Sequence, residues 1–318
     1  EDLKARMARF IVGYDFHKNP VTAGDLNAHG SMATLLKDAV KPNLVQTIEG
    51  GPAFVHGGPF ANIAHGTSSV IADKMALRLG DYVVTEAGFG FDLGAEKFFN
   101  IMCRSSGLAP SCVALVATAR ALKMHGGVDK KELNEPNPEA VARGLPNLER
   151  HMESVARFGV PLVVCVNRFT RDTDEEIQVI LDRCRALGQV AEVVDVWGQG
   201  GAGGEAAAAR IVEAVDSFSG SYTPLYELEQ SVEEKIETIA REIYGARQVE
   251  FTRRARLDLK RIERLGLAAL PVCMAKTQKS LSDNPALLGR PEDFVVTVKE
   301  IHISAGAGFL VPITGNIL

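Results

Sequence analysis

Six short apolar, β-branched runs alternate with helical patterns, and that alternation most constrains the fold. The runs are "RFIVGYDF" (Arg9 to Phe16), "NLVQTIE" (Asn43 to Glu49), "DYVVTEAG" (Asp81 to Gly88), "SCVALVAT" (Ser111 to Thr118), "PLVVCVNRF" (Pro161 to Phe169) and "QVAEVVDVW" (Gln189 to Trp197). Each ends on polar residues or glycine, the pattern of parallel strands buried on both faces. Helical periodicity fills the gaps at Ser31 to Val40, Asn62 to Leu79, Gly94 to Cys103, Asn147 to Phe158 and Asp174 to Leu187. Alternating βα units predict a doubly wound α/β sheet with ligands at the carboxyl ends of its strands.

The 318 residues, 46% hydrophobic, are enough for two domains with separate cores. A polar, proline-bearing stretch from Gly126 to Leu145 is the expected boundary between two α/β lobes. From Phe294 the pattern changes to "FVVTVKEIHISAGAGFLVPIT", two strands around a glycine bend. The chain starts on Glu1 and stops just after this segment, and a piece of a longer protein is the expectation.

A formal charge of -5 supplies no general attraction for nucleic acid or anionic membrane, so neither partner is expected. The basic run "TRRARLDLKRIERL" lacks accompanying aromatics and reads as a solvated or subunit-facing helix. No apolar run reaches membrane-span length, and nothing at the N-terminus resembles a signal peptide. The five cysteines are scattered without zinc-ligand spacing and read as reduced thiols, which makes a cytoplasmic location the expectation. No metal ligand set is read from the chain.

Glycine concentrates at expected strand ends: Gly50, Gly51, Gly57 and Gly58, then Gly88, Gly90 and Gly94. Such loops let backbone N–H groups approach an anion, and a helix starting near Asn62 would add its N-terminal N–H groups. His56, Asn62, His65, Glu86, Asp92 and Glu96 are the polar side chains around them. The competing reading is structural, with tight turns and satisfied backbone groups. Neither a G-x-G-x-x-G fingerprint nor a P-loop is present.

Trp197, the single tryptophan, ends a strand directly before "GQGGAGG", and Phe169 ends the strand before it. Two aromatics at adjacent carboxyl ends form a slot for a flat heterocycle, unless both cap the core. "VNRFTRD" echoes a guanine-reading Asn-x-x-Asp, but Asn167 and Asp172 are five apart, which disfavours an autonomous P-loop NTPase. "CMAKTQKSLSDNP" offers Lys276, Thr277, Ser280 and Ser282 as phosphate contacts, or as a polar surface loop.

These residues carry a resemblance that covers the chain in order. "KDAVKPNLVQTIEGGPAFVHGGPFANIAHGTSSVIADKMAL", "DYVVTEAGFGFDLGAEKFFNIMCR", "ALKMHGG", "PLVVCVNRF", "EKIETIAREIYGA", "LPVCMAKTQKSLSDNP" and "SAGAGFLVPITG" together resemble the formate–tetrahydrofolate ligases. The resemblance implies ATP-dependent ligation of formate to N10 of tetrahydrofolate through formyl phosphate, giving ADP and phosphate. It implies magnesium with the ATP, activation by a monovalent cation such as potassium, and a homotetramer. It implies a P-loop-NTPase-like, mostly parallel doubly wound sheet in residues 1–145, the C-terminal part of a nucleotide and formyl-phosphate domain. Residues 146–293 would be a folate-binding α/β domain, and 294–318 the start of a small β-containing domain.

In the family an aromatic pair brackets the pterin, at positions matching Phe169 and Trp197. Asp195, Gly200 and Gly201 would complete the folate loop. Gly57, Gly58, Gly88, Gly90, Lys276 and Thr277 would line the nucleotide and formyl-phosphate cleft. His56, Asn62 and Glu86 would serve chemistry, with Asp195, His56 and Glu86 as alternatives for the base at N10. One departure stands out: the family's phosphate loop ending Gly-Lys-Thr-Thr is not in these residues, so the expectation is a fragment inactive alone. The alternative is a noncatalytic folate-binding or assembly module.

Overall fold

A computed structural model describes residues 2–58, 64–88 and 90–315. Two antiparallel hairpins open the chain: β1 (Ile11–Tyr14) pairs with β2 (Pro20–Thr22), and β3 (Asn43–Gln46) with β4 (Pro52–Val55). Two runs expected in a parallel sheet thus pair locally instead. The second hairpin closes because Gly50 takes φ +86°, which favours glycine. Its N–H donates to the Thr47 carbonyl at 2.9 Å, and Thr47 N–H donates to the Gly51 carbonyl at 2.8 Å. Gly50 and Gly51 therefore form a turn. Asp81 to Gly88 forms no strand, and the helix after the first glycine stretch spans Val70–Ala76, with Ser69 Oγ accepting from Ala72 N–H.

The parallel α/β layer consists of β5 (Val113–Ala117), β6 (Leu162–Asn167) and β7 (Val190–Val194), in that order. Central β6 buries Val163, Val164, Cys165 and Val166 consecutively, as a strand covered on both faces must. Helices Ala119–His125 and Pro138–Ala156 connect β5 to β6, Asp174–Ala186 connects β6 to β7, and Glu205–Ser217 follows. Their starts are written in sequence. Thr118 and Asn137 accept N-cap bonds, and Thr173 with Glu176 forms a full capping box. Pro138–Ala156 runs unbroken across residue 145.

The last sheet has the order β10 (Phe309–Thr314), β9 (Val295–Ser304) and β8 (Gln248–Phe251); β8 and β9 are parallel, while β9 and β10 form the hairpin expected around the glycine bend. One large core joins this sheet to helix Val232–Ile239 and to the segment 90–106, bringing together Phe91, Phe99, Phe158, Ile236, Ile243, Val296 and Leu310. Phe99 stacks on Phe158 with ring centroids 4.2 Å apart. Each such side chain stabilises the fold by about 1.5–3 kcal/mol through burial. Among the described residues no helix is long and apolar enough to cross a membrane.

Candidate functional site

Parallel pairing of β6 and β7 sets Asn167 opposite Val194, so the chain leaves both strands at one edge. Arg168 N–H extends the ladder by donating to the Val194 carbonyl at 2.9 Å. Phe169 follows two residues beyond β6, and its N–H donates to Asp172 Oδ2 at 2.9 Å, closing a turn. Trp197 follows three residues beyond β7. Phe169 is 46% exposed and Trp197 82%, so neither ring is consumed by the core. An indole left in water at a sheet's carboxyl edge is positioned to stack on a ligand.

The Trp197 loop is braced from within by Asp195. Its Oδ1 accepts from Gly198 N–H and its Oδ2 from the Gln199 amide, both at 3.0 Å. The Gln199 and Gly198 donors hold this carboxyl below its ordinary range, with Arg168 adding to the effect. Asp195 N–H also donates to the Gly203 carbonyl at 2.9 Å. Gly203 must be glycine, because a Cβ there would lie 2.1 Å from the Asp195 carbonyl oxygen.

A second brace comes from the β3–β4 turn. Glu49 Oε1 accepts from Gly201 N–H at 2.7 Å, across 152 residues. The structure thus joins the first glycine-rich stretch to the Trp197 loop through the side chain preceding Gly50 and Gly51. Sequence reasoning passed over Glu49. The available signal was a lone carboxylate abutting a glycine pair.

The other expected site residues scatter. His56 is committed to structure: Nε2 meets the Ala39 carbonyl at 2.8 Å and Nδ1 the Ser69 hydroxyl at 2.5 Å. Asn62 lies outside the described residues. Glu86, Gly57 and Gly58 are exposed. Gly57, Gly88 and Gly90 have φ of +63°, +55° and +75°, so their conformations themselves favour glycine. His65 is half-buried, and burial lowers its pKa.

Lys276, expected at a phosphate, is fully buried, its ammonium held by Asp92 and by the carbonyls of Thr277 and Ser280. Its loop folds inward because Ser280 and Ser282 bond each other at 2.9 Å and are themselves buried. Thr277 is half-buried, with Oγ1 accepting from Lys279 N–H. Asp92 and Glu96 also lie inside, in the helical segment 90–106, and not on a loop facing solvent. Burial pushes Glu96 up to about 7. Among the described residues, no group of three or more His, Cys, Asp or Glu is placed to hold a metal ion.

The fold is that of an α/β protein with a three-stranded parallel sheet, at whose carboxyl edge Phe169 and Trp197 stand exposed. The family model described as formate–tetrahydrofolate ligase matches residues 1–318, and the chain belongs to that family. Its members are ligases of one-carbon metabolism that join formate to tetrahydrofolate, with ATP as the further substrate.

Proposed function

We propose that this chain contributes the tetrahydrofolate side of an ATP-dependent formate–tetrahydrofolate ligase, and that Phe169 and Trp197 form the pterin slot. The observation that carries the reading is the pair of exposed aromatics on adjacent strand ends, in a chain of this family. In the proposed reaction a formate oxygen attacks the γ-phosphorus of ATP and ADP departs. N10 of tetrahydrofolate then attacks the formyl carbon, phosphate leaves, and N10 gives up its proton. Formyl phosphate hydrolyses readily, so the cleft has to exclude water.

Within this scheme Trp197 and Phe169 orient the pterin, while Asp195, Gly200 and Gly201 shape the loop beneath it. Gly57, Gly58, Gly88, Gly90 and Thr277 belong to the proposed cleft wall, with Asn62 and Glu86 beside it. Lys276 is left out because it is buried. Asp195 has both oxygens engaged by its own loop, which suits it to bracing and not to accepting the N10 proton. His56 is engaged at both ring nitrogens. Magnesium and a monovalent cation accompany the family reading, as do a homotetramer and a cytoplasmic location. No step here is routed through either ion.

The test is a titration of the chain with tetrahydrofolate under anaerobic conditions, following emission of its single tryptophan. Quenching is expected, and Trp197→Ala is expected to lose about 1–3 kcal/mol of binding, the scale of aromatic stacking on a base. Unchanged emission, with binding established by equilibrium dialysis, would overturn the slot. A second reading is a folate-binding or assembly module without catalysis. Release of ADP by this chain with formate and ATP would exclude the second reading.

A further inference from the structure

We propose that Glu49 is a positioning residue for tetrahydrofolate, a strap from the β3–β4 turn that fixes the Trp197 loop in its binding position. The inference rests on the reading of Trp197 as a pterin wall. Trp197 is 82% exposed, so packing does little to fix its place. Its position follows from the backbone that carries it. Val196–Gln199 is a single helical turn, followed by the tight turn Gly200–Gly204, and neither is long enough to be stable alone.

Asp195 braces that unit only from within. Among the described residues, the hydrogen bond from Gly201 N–H to Glu49 Oε1, at 2.7 Å, is the one that ties residues 196–204 to a distant segment. A bond to an ionised acceptor is also of the stronger kind.

The glycines fit this role. A Cβ at Gly201 would lie 2.4 Å from Glu49 Oε2, and one at Gly200 would lie 2.6 Å from Oε1. Gly200 has φ +61°, which favours glycine on backbone grounds. At Gly201 no positive φ intervenes, so its bareness serves the carboxylate. The pair forms a socket into which the Glu49 side chain reaches. The "EGG" turn and the "GQGGAGG" loop, 152 residues apart, are therefore two halves of one contact.

Glu49 is exposed, so its replacement leaves the core intact. The variants are Glu49→Ala, Glu49→Gln, which keeps an acceptor oxygen, and Gly201→Ala, which displaces the carboxylate from the other side. Two readouts apply: the fluorescence anisotropy of Trp197 without ligand, and the dissociation constant for tetrahydrofolate by equilibrium dialysis. Glu49→Ala and Gly201→Ala are each expected to lower the anisotropy and weaken tetrahydrofolate about fivefold, the effect of losing one partly exposed charged hydrogen bond. Glu49→Gln is expected to restore most of both, and Glu49→Ala with Gly201→Ala to do no more than either alone.

Unchanged anisotropy in Glu49→Ala would overturn the strap. Lower anisotropy with unchanged tetrahydrofolate affinity would overturn its positioning role. Failure of the pterin reading is distinguished by the parent chain itself, where saturating tetrahydrofolate would leave Trp197 emission unaltered.

Discussion

Asp92 and Lys276 form a buried ion pair, Oδ2 to Nζ at 2.5 Å, between the helical segment 90–106 and the loop that precedes β9. The Lys276 ammonium also donates to the carbonyls of Thr277 and Ser280 and lies 5.0 Å from the centre of the Tyr244 ring. Burial works to raise the Asp92 carboxyl, but the Lys276 ammonium, His151 and hydrogen bonds together hold it below its ordinary value. Two segments distant in sequence are thus pinned inside the main core.

Removing one partner of such a pair leaves an uncompensated buried charge. Lys276→Met is expected to destabilise the chain by about 3–5 kcal/mol, read as a lower denaturant midpoint. Restoring neutrality with Asp92→Leu in the same chain is expected to recover much of that loss. If Lys276→Met left the midpoint intact and weakened ATP binding, the lysine would be a nucleotide contact after all.

Glu96 makes stability depend on pH. Its Oε1 accepts from the Asn100 amide at 2.7 Å, its Oε2 has no hydrogen-bond partner, and burial raises its pKa from 4.5 to about 7. Between these values the unfolded chain has lost the proton that the folded chain keeps. Folding therefore weakens as pH rises from about 4.5 to about 7 and levels off above, by about 3 kcal/mol in all. Glu96→Gln is expected to flatten this slope and to be the more stable protein at pH 8. Denaturant titrations at several pH values measure it, and a parallel pair of curves would contradict the assignment.

Gly144 illustrates close approach. A Cβ there would lie 2.0 Å from the Leu122 carbonyl oxygen, where helices Ala119–His125 and Pro138–Ala156 cross. That atom is backbone and cannot swing aside. Gly144→Ala is expected to cost about 1–3 kcal/mol from overpacking, although alanine favours an isolated helix. Thermal unfolding of the variant, lower by several degrees, is the check. A higher melting temperature would show that the helices separate freely.

What was legible in the sequence divides along physical lines. β5, β6 and β7 were readable because each is a short β-branched run whose neighbours are the next units of the same alternation, as Val163 to Val166 show. Helix Asp174–Ala186 was readable, and Thr173 and Glu176 satisfy each other's backbone groups at its start, whereas Ala119–His125 and the first turns of Pro138–Ala156 lay in stretches whose helical period is weak. Asn43 to Glu49 has the same composition as a buried strand, yet it turns back at Gly50, because composition does not say which strand will be the neighbour. Phe169 and Trp197 were visible as aromatics at strand ends. Glu49 was not, since a single carboxylate gains meaning only from a loop 152 residues away. The burial of Lys276 was hidden for the converse reason: a polar string looks exposed until Asp92 is seen opposite it.

His56 is the last residue whose role the geometry redefines. A backbone carbonyl only accepts, so Nε2 carries the hydrogen given to Ala39, while Nδ1 pairs with the Ser69 hydroxyl. Ser69 Oγ in turn accepts from Ala72 N–H, capping helix Val70–Ala76. The ring therefore ties three segments together. His56→Ala is expected to destabilise the chain by about 1–2 kcal/mol, on the scale of a lost hydrogen bond and a weakened cap, while tetrahydrofolate affinity stays within twofold. Differential scanning calorimetry beside equilibrium dialysis separates the two effects. An unchanged melting temperature, with a large loss of ligase turnover, would return His56 to the chemistry.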